Sequence, residues 1–164
     1  MTTTTPNTAT APLALIFSFS DSLVLQALEG LTPEELWRPL TTSNNPILWV
    51  AGHIVQTRAV VLQMLGEQAD TGWGGLFDRG ARIGDPKDYP SGPEVARTMR
   101  EISPRLHAAL AALEDEKLNR PASLPIPGIK TLTDELAFFA LHDAYHVGQL
   151  AYIRKGLGYP GLAG

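Results

Sequence analysis

Four histidines carry most of the chemistry open to this sequence: His53, His107, His142 and His146. There are no cysteines, which removes disulfides, iron–sulfur clusters, thiolate nucleophiles and Cys-type zinc sites together. Any metal site must therefore use His, Asp or Glu. His142 and His146 stand four apart in FFALHDAYHVGQLAYIRKGLG. On a helix this spacing puts both imidazoles on one face, one turn apart, where their ring nitrogens can share an ion. Phe139, Leu150 and Ile153 continue the line, so the pair lies on or beside the core-facing stripe. The alternative is two core histidines satisfied by hydrogen bonds. That needs two separate sets of polar partners, whereas one ion orients both rings.

HDAYH has the histidine spacing of the H-E-x-x-H metalloprotease motif, with Asp143 in place of Glu. That motif takes its third ligand from further along the chain. After His146 this sequence has no His, Asp or Glu, so a third ligand must come from upstream. His53, in NNPILWVAGHIVQTR, is the candidate. Alone it would read as a core histidine. In a bundle, however, metal sites are built by side chains converging from facing helices, and His53 sits on the other strongly apolar segment. His107, beside an apolar ladder and near Arg105, is expected to face solvent.

Three neutral ligands leave coordination positions open, as in catalytic rather than closed structural sites. An open position can lower the pKa of a water or take up a thiolate and activate it. No side chain is assigned as a catalytic acid, base or nucleophile. Asp143 points about 100° around the helix from His142; it reads either as a partner or base near the ion or as half of a salt bridge. Gln149 can reach the face of His146, or make a polar interface contact. Trp37, Trp49 and Trp73 line a pocket or belong to the core.

The elements that must position these residues are helices. Leu13, Phe17, Val24 and Leu28 predict a first helix over about 12–30. Thr32-Pro33-Glu34-Glu35 opens a helical turn that Pro39 stops. Asn45-Pro46 begins a second long helix, apolar on most sides, ending at Gly66. Residues 67–91 form a long Gly-rich loop. A third helix starts at Gly92-Pro93-Glu94 and is expected to kink at Pro104. Residues 119–130 form another loop. The fourth helix starts at Thr131 or Thr133, with acids in its first turn and Arg154 and Lys155 in its last. The expected fold is all-α: a four-helix bundle over 12–164 behind a disordered Thr-rich tail, 1–11.

The 164 residues suit one core, with a formal charge of −4 and 18% charged residues. An acidic chain without Lys/Arg clusters lacks the phosphate-neutralising surface that nucleic acid requires. No positive n-region precedes an apolar stretch, and the apolar run at 13–19 is too short for a bilayer span of about 20 residues. The expectation is a cytoplasmic protein with a small-molecule substrate, no nucleic acid and no membrane.

The segments NPILWVAGHI and LHDAYHVGQLAYIRKGLG resemble those of the DinB/YfiT-like superfamily of small four-helix metalloproteins, over residues 12–158. The resemblance implies one divalent ion, nickel or zinc most often, on His53, His142 and His146. It also implies transfer reactions that use low-molecular-weight thiols, thiol-dependent isomerisation or metal-dependent hydrolysis, frequently in a homodimer. Two alternatives stand beside a metal-dependent transferase or hydrolase: a non-catalytic metal-binding stress-response module, and a structural bundle without metal.

Overall fold

The computed structural model describes residues 9–162. Its helices are α1 (Ala11–Leu28), α2 (Pro33–Trp37), α3 (Ile47–Met64), α4 (Gly92–Ala111), α5 (Asp115–Leu118) and α6 (Leu132–Gly156), with a 3-10 turn at Pro86–Asp88. No strand occurs among the described residues; one isolated bridge pairs Pro121 with Thr131. The long helices α1, α3, α4 and α6 form the expected four-helix bundle. Residues 1–8 of the expected tail lie outside the described residues. Its last three residues join the fold: Ala9 and Thr10 form a turn, Ala11 opens α1, and the buried Thr10 hydroxyl donates to the Leu110 carbonyl at 2.9 Å.

Local chemistry sets the helix starts. Thr32, Ser91 and Thr131 each cap a helix while the acid three residues on bonds back to the cap's N–H. Thr131, not Thr133, therefore begins α6. α4 runs unbroken through Pro104.

The chain order is not the spatial order. α1 packs on α4 and α6, and α3 packs on the same two helices, so α1 and α3 are diagonal partners. Arg154, near the end of α6, donates to Ala27 and Glu29 carbonyls at the end of α1, at 3.1 and 2.7 Å. These neighbours therefore run parallel, and a cation expected to complement its own helix instead caps another.

α3 is the central helix, with every residue from Ile47 to Val55 buried. Its Arg58 is fully buried and ties the bundle together. Nε donates to Asp143 Oδ2 on α6 at 2.8 Å, and Nη1 to Asp21 on α1 and to Ser103 Oγ on α4, the latter at 3.1 Å. Nη2 donates to the Phe17 carbonyl on α1 at 3.1 Å. One guanidinium thus bonds to the three other long helices.

By length and composition, α1 and α3 could each cross a membrane, with mean hydropathy 1.5 and 1.2. The apolar run of α1 ends at Phe19, but the helix as a whole stays apolar past Ser20 and Asp21. In the bundle, α3 is mostly buried in the core, and Phe17, Ser20, Val24, Ala27 and Leu28 of α1 are buried against its neighbours.

Candidate metal centre

α3 and α6 bring His53, His142 and His146 together. His142 Nε2 lies 3.0 Å from His53 Nε2 and 3.1 Å from His146 Nε2. Two imidazole nitrogens on one tetrahedral ion, each about 2.0–2.1 Å from it, would be separated by about 3.3 Å. The two spacings about His142 are close to that, and the three candidate ligand atoms all lie within 4.8 Å of one another.

Proton placement argues the same way. His53 Nδ1 sits 2.7 Å from the Phe77 carbonyl, which can only accept, so Nδ1 carries the proton and Nε2 keeps its lone pair. His146 Nδ1 sits 2.6 Å from Gln149 Oε1, with the same consequence. Two Nε2 lone pairs then face His142 Nε2. A proton there could answer one of them and not the other. A cation at the centre answers all three, so the donor set fits a divalent ion.

Burial pushes the His53 imidazole below its ordinary value, against the pull of the Phe77 carbonyl. Burial also takes His146 from an ordinary 6.5 down to about 4, with Gln149 opposing. Both rings are thus held neutral near pH 7, the form that binds metal. A consequence is acid sensitivity of the metal-free protein. With folded values below the unfolded 6.5, their stabilising contribution is complete above about pH 6.5. It is lost as pH falls toward 4. Thermal melts in chelator will show a falling Tm between pH 7 and 4.5, and His146→Asn will flatten that slope. An unchanged slope in the variant would show that His146 is not the titrating group.

Behind His53, the 67–91 loop is packed rather than loose. Phe77 is fully buried, its carbonyl orients His53, and Trp73 meets its ring edge-on at 5.2 Å. Trp49 stacks on His53 at 5.2 Å and donates from Nε1 to the Leu76 carbonyl at 3.2 Å. Gly52 makes this docking possible, because a Cβ there would clash with three carbons of the Phe77 ring. Gly52→Ala will therefore destabilise by about 1–3 kcal/mol, as overpacked cores do, and weaken metal binding by shifting the Phe77 carbonyl. Denaturant melts and a chelator competition would check both; unchanged metal affinity would show that the loop does not orient His53.

The histidines line a pocket of about 640 Å³. Trp49, Phe138, Phe139, Leu124 and Ile126 give it apolar walls; Asn45, Thr57, Tyr145 and Arg79 add polar groups. Leu124 and Ile126 come from the 119–130 loop, which Glu135 pins. The Glu135 carboxylate is fully buried and accepts from Ser123 N, Ser123 Oγ and Leu124 N at 2.6, 2.9 and 2.7 Å. The sequence marked Glu135 only as a first-turn acid; nothing local shows that it holds a pocket wall.

Other expected residues sort clearly. Gln149 does reach His146. Trp49 lines the pocket and Trp73 packs behind it, while Trp37 pairs with Tyr89 elsewhere, at 4.8 Å. His107 departs from expectation: it is only partly exposed, with Nε2 on Asp21 Oδ2 at 2.6 Å. α1 packs there and supplies the carboxylate. Asp143 is 1% exposed and ion-paired with Arg58, but its Oδ1 has no hydrogen-bond partner among the described residues. Neither has the buried His142 Nδ1, 3.8 Å away.

A family model described as the DinB superfamily matches residues 16–150. No curated protein matches the chain. Among solved structures, a conserved protein from Enterococcus faecalis is similar at 13% identity and TM-score 0.72, over 90% of this chain and 96% of that one. YfiT from Bacillus subtilis, described as "a probable metal-dependent hydrolase with an unusual four-helix bundle topology", shares 16% identity at TM-score 0.66, over 91% and 87%. A DinB-like protein from Bacillus cereus shares 22% identity at TM-score 0.63, over 92% and 95%. At these identities the structures establish the shared fold.

Proposed function

The chain belongs to the DinB superfamily, and from that premise we propose that it is a metal-dependent enzyme, a hydrolase or thiol-dependent transferase, acting on a small molecule. The observation that carries this reading is the convergence of three histidine ring nitrogens in the lining of one pocket. The proposed ligands are His53, His142 and His146, and the proposed ion is zinc or nickel, both suited to imidazole. When bound, the ion supplies Lewis acidity toward a water or a low-molecular-weight thiol. The protein's own groups do the rest. Phe77 and Gln149 hold two imidazoles in the ligating tautomer, and Trp49 fixes the ring plane of His53. The apolar wall favours the carbon skeleton of a bound molecule, and Asn45, Thr57 and Tyr145 offer it hydrogen bonds.

The proposed setting is the cytoplasm, where thiols are kept reduced. A second copy of the chain is the proposed partner. Neighbouring helices α1 and α6 expose Leu15, Phe19, Leu141 and Tyr152 by 57–68%, and exposed apolar patches mark association sites. Light scattering on the purified protein will report a dimer if this holds.

The functional test uses untagged protein. Metal analysis should give about one zinc or nickel per chain, and a screen of esters, amides and thiol acceptors should find activity that chelation removes and metal restores. No uptake of zinc or nickel would overturn the reading; activity that survives complete metal removal would overturn metal-centred chemistry.

A further inference from the structure

We propose that Asp143 is the positioning residue for His142, and that Arg58 aims it, an inference that rests on the metal reading above. Two of the three ligands have an acceptor that fixes the Nδ1 proton: Phe77 O for His53 and Gln149 Oε1 for His146. His142 has none at hydrogen-bond distance. Instead its buried Nδ1 faces the buried Asp143 Oδ1 at 3.8 Å, and both atoms lack a partner among the described residues. Two complementary orphans at that separation are about 1 Å from a hydrogen bond, and leaving either unmet is costly.

Counting protons selects the arrangement. A proton on His142 Nε2 satisfies one neighbouring imidazole and leaves the Nδ1 lone pair against a carboxylate oxygen. A proton on Nδ1 satisfies Asp143 and turns the third Nε2 lone pair toward the other two. Only the second placement makes His142 a ligand. Histidine ligands commonly pair the outer nitrogen with a carboxylate in this way.

Arg58 decides which way the carboxylate faces. Its Nε takes Asp143 Oδ2 at 2.8 Å, leaving Oδ1 for His142. Because the same guanidinium also holds Asp21, Ser103 and the Phe17 carbonyl, the orientation of a metal ligand is tied to the closed bundle. Asp143 touches neither substrate nor ion; it acts through His142.

The test is Asp143→Asn. Arg58 Nε–H requires an acceptor, so the amide oxygen turns to Arg58 and the amide NH2 faces His142 Nδ1. That favours the proton on Nε2, the wrong tautomer for a ligand, as replacing a tautomer-fixing carboxylate by amide does elsewhere. Zinc affinity, measured by chelator competition on folded protein, should fall about 10–100-fold. In zinc-loaded wild type, long-range proton–nitrogen spectra should show a slowly exchanging, downfield Nδ1–H on His142, and the variant should lose it. A purely structural salt bridge would lower Tm and change neither readout. Wild-type zinc affinity in folded Asp143→Asn overturns this proposal alone. A wild type that binds no zinc overturns the metal reading, and this proposal with it. Should the variant not fold, the wild-type spectrum decides, since absence of the protected Nδ1–H on His142 overturns the proposal.

Discussion

His142→Ala will abolish stoichiometric metal binding and leave the bundle folded. His142 Nε2 is the middle of the set, 3.0 Å from one ligand nitrogen and 3.1 Å from the other. Without it, two neutral imidazoles remain, and the pocket lining contributes no carboxylate to replace the third. Affinity should drop by more than about 100-fold, since even the outer partners of such ligands are worth about 10–100-fold. His142 is partly exposed, and its removal relieves the crowding of lone pairs in the metal-free protein. The metal-free Tm should therefore change little. His107→Ala is the matched control: it loses a bond to Asp21 and should keep full metal content. Elemental analysis and chelator competition decide the matter. An ion retained at one per chain in His142→Ala would remove His142 from the ligand set.

Arg58→Met will cost about 3–5 kcal/mol, the range for breaking a buried ion pair on one side. The cause is what it leaves behind. Asp143, 1% exposed, would keep a charge with no partner, and Asp21, Ser103 Oγ and the Phe17 carbonyl would each lose a donor. At about 2–4 °C per kcal/mol for a chain of this size, Tm should fall by about 6–20 °C. Arg58→Met with Asp143→Leu should recover part of the loss, because replacing both members of a buried pair by apolar groups removes the desolvation penalty. If the double variant were no more stable than Arg58→Met, the bare Asp143 charge would not be the source of the cost. Urea melts with constant m-values would keep the comparison two-state.

Much of this protein is legible in one dimension. Helical apolar periodicity, the helix start at Thr32-Pro33-Glu34-Glu35, acids in first turns and Gly/Pro punctuation give the long helices, because these signals act within a few residues. The spacing of His142 and His146 gives the candidate ligand pair for the same reason. His53 joins them by elimination and by family resemblance, since no local rule says that α3 faces α6.

What stayed hidden depends on contacts between distant segments. Periodicity marks which face of a helix is buried, not which helix covers it, so the diagonal placement of α1 and α3 could not be read. Hence His107 was expected in solvent, although α1 brings Asp21 to it. Arg58 is, in sequence, one charge on an apolar helix; its role exists only where α1, α4 and α6 meet around it. For Asp143 the sequence leaves salt bridge and metal partner open; the tertiary structure shows the salt bridge to Arg58, with the other carboxylate oxygen 3.8 Å from His142 Nδ1. The sequence determined the candidate ligands, His142 and His146 through residue type and helical spacing and His53 through elimination and resemblance. The tertiary structure alone decided that the Phe77 carbonyl meets His53 and that Arg58 pairs with Asp143 beside His142, because contacts between distant segments are set by distance and angle rather than by order along the chain.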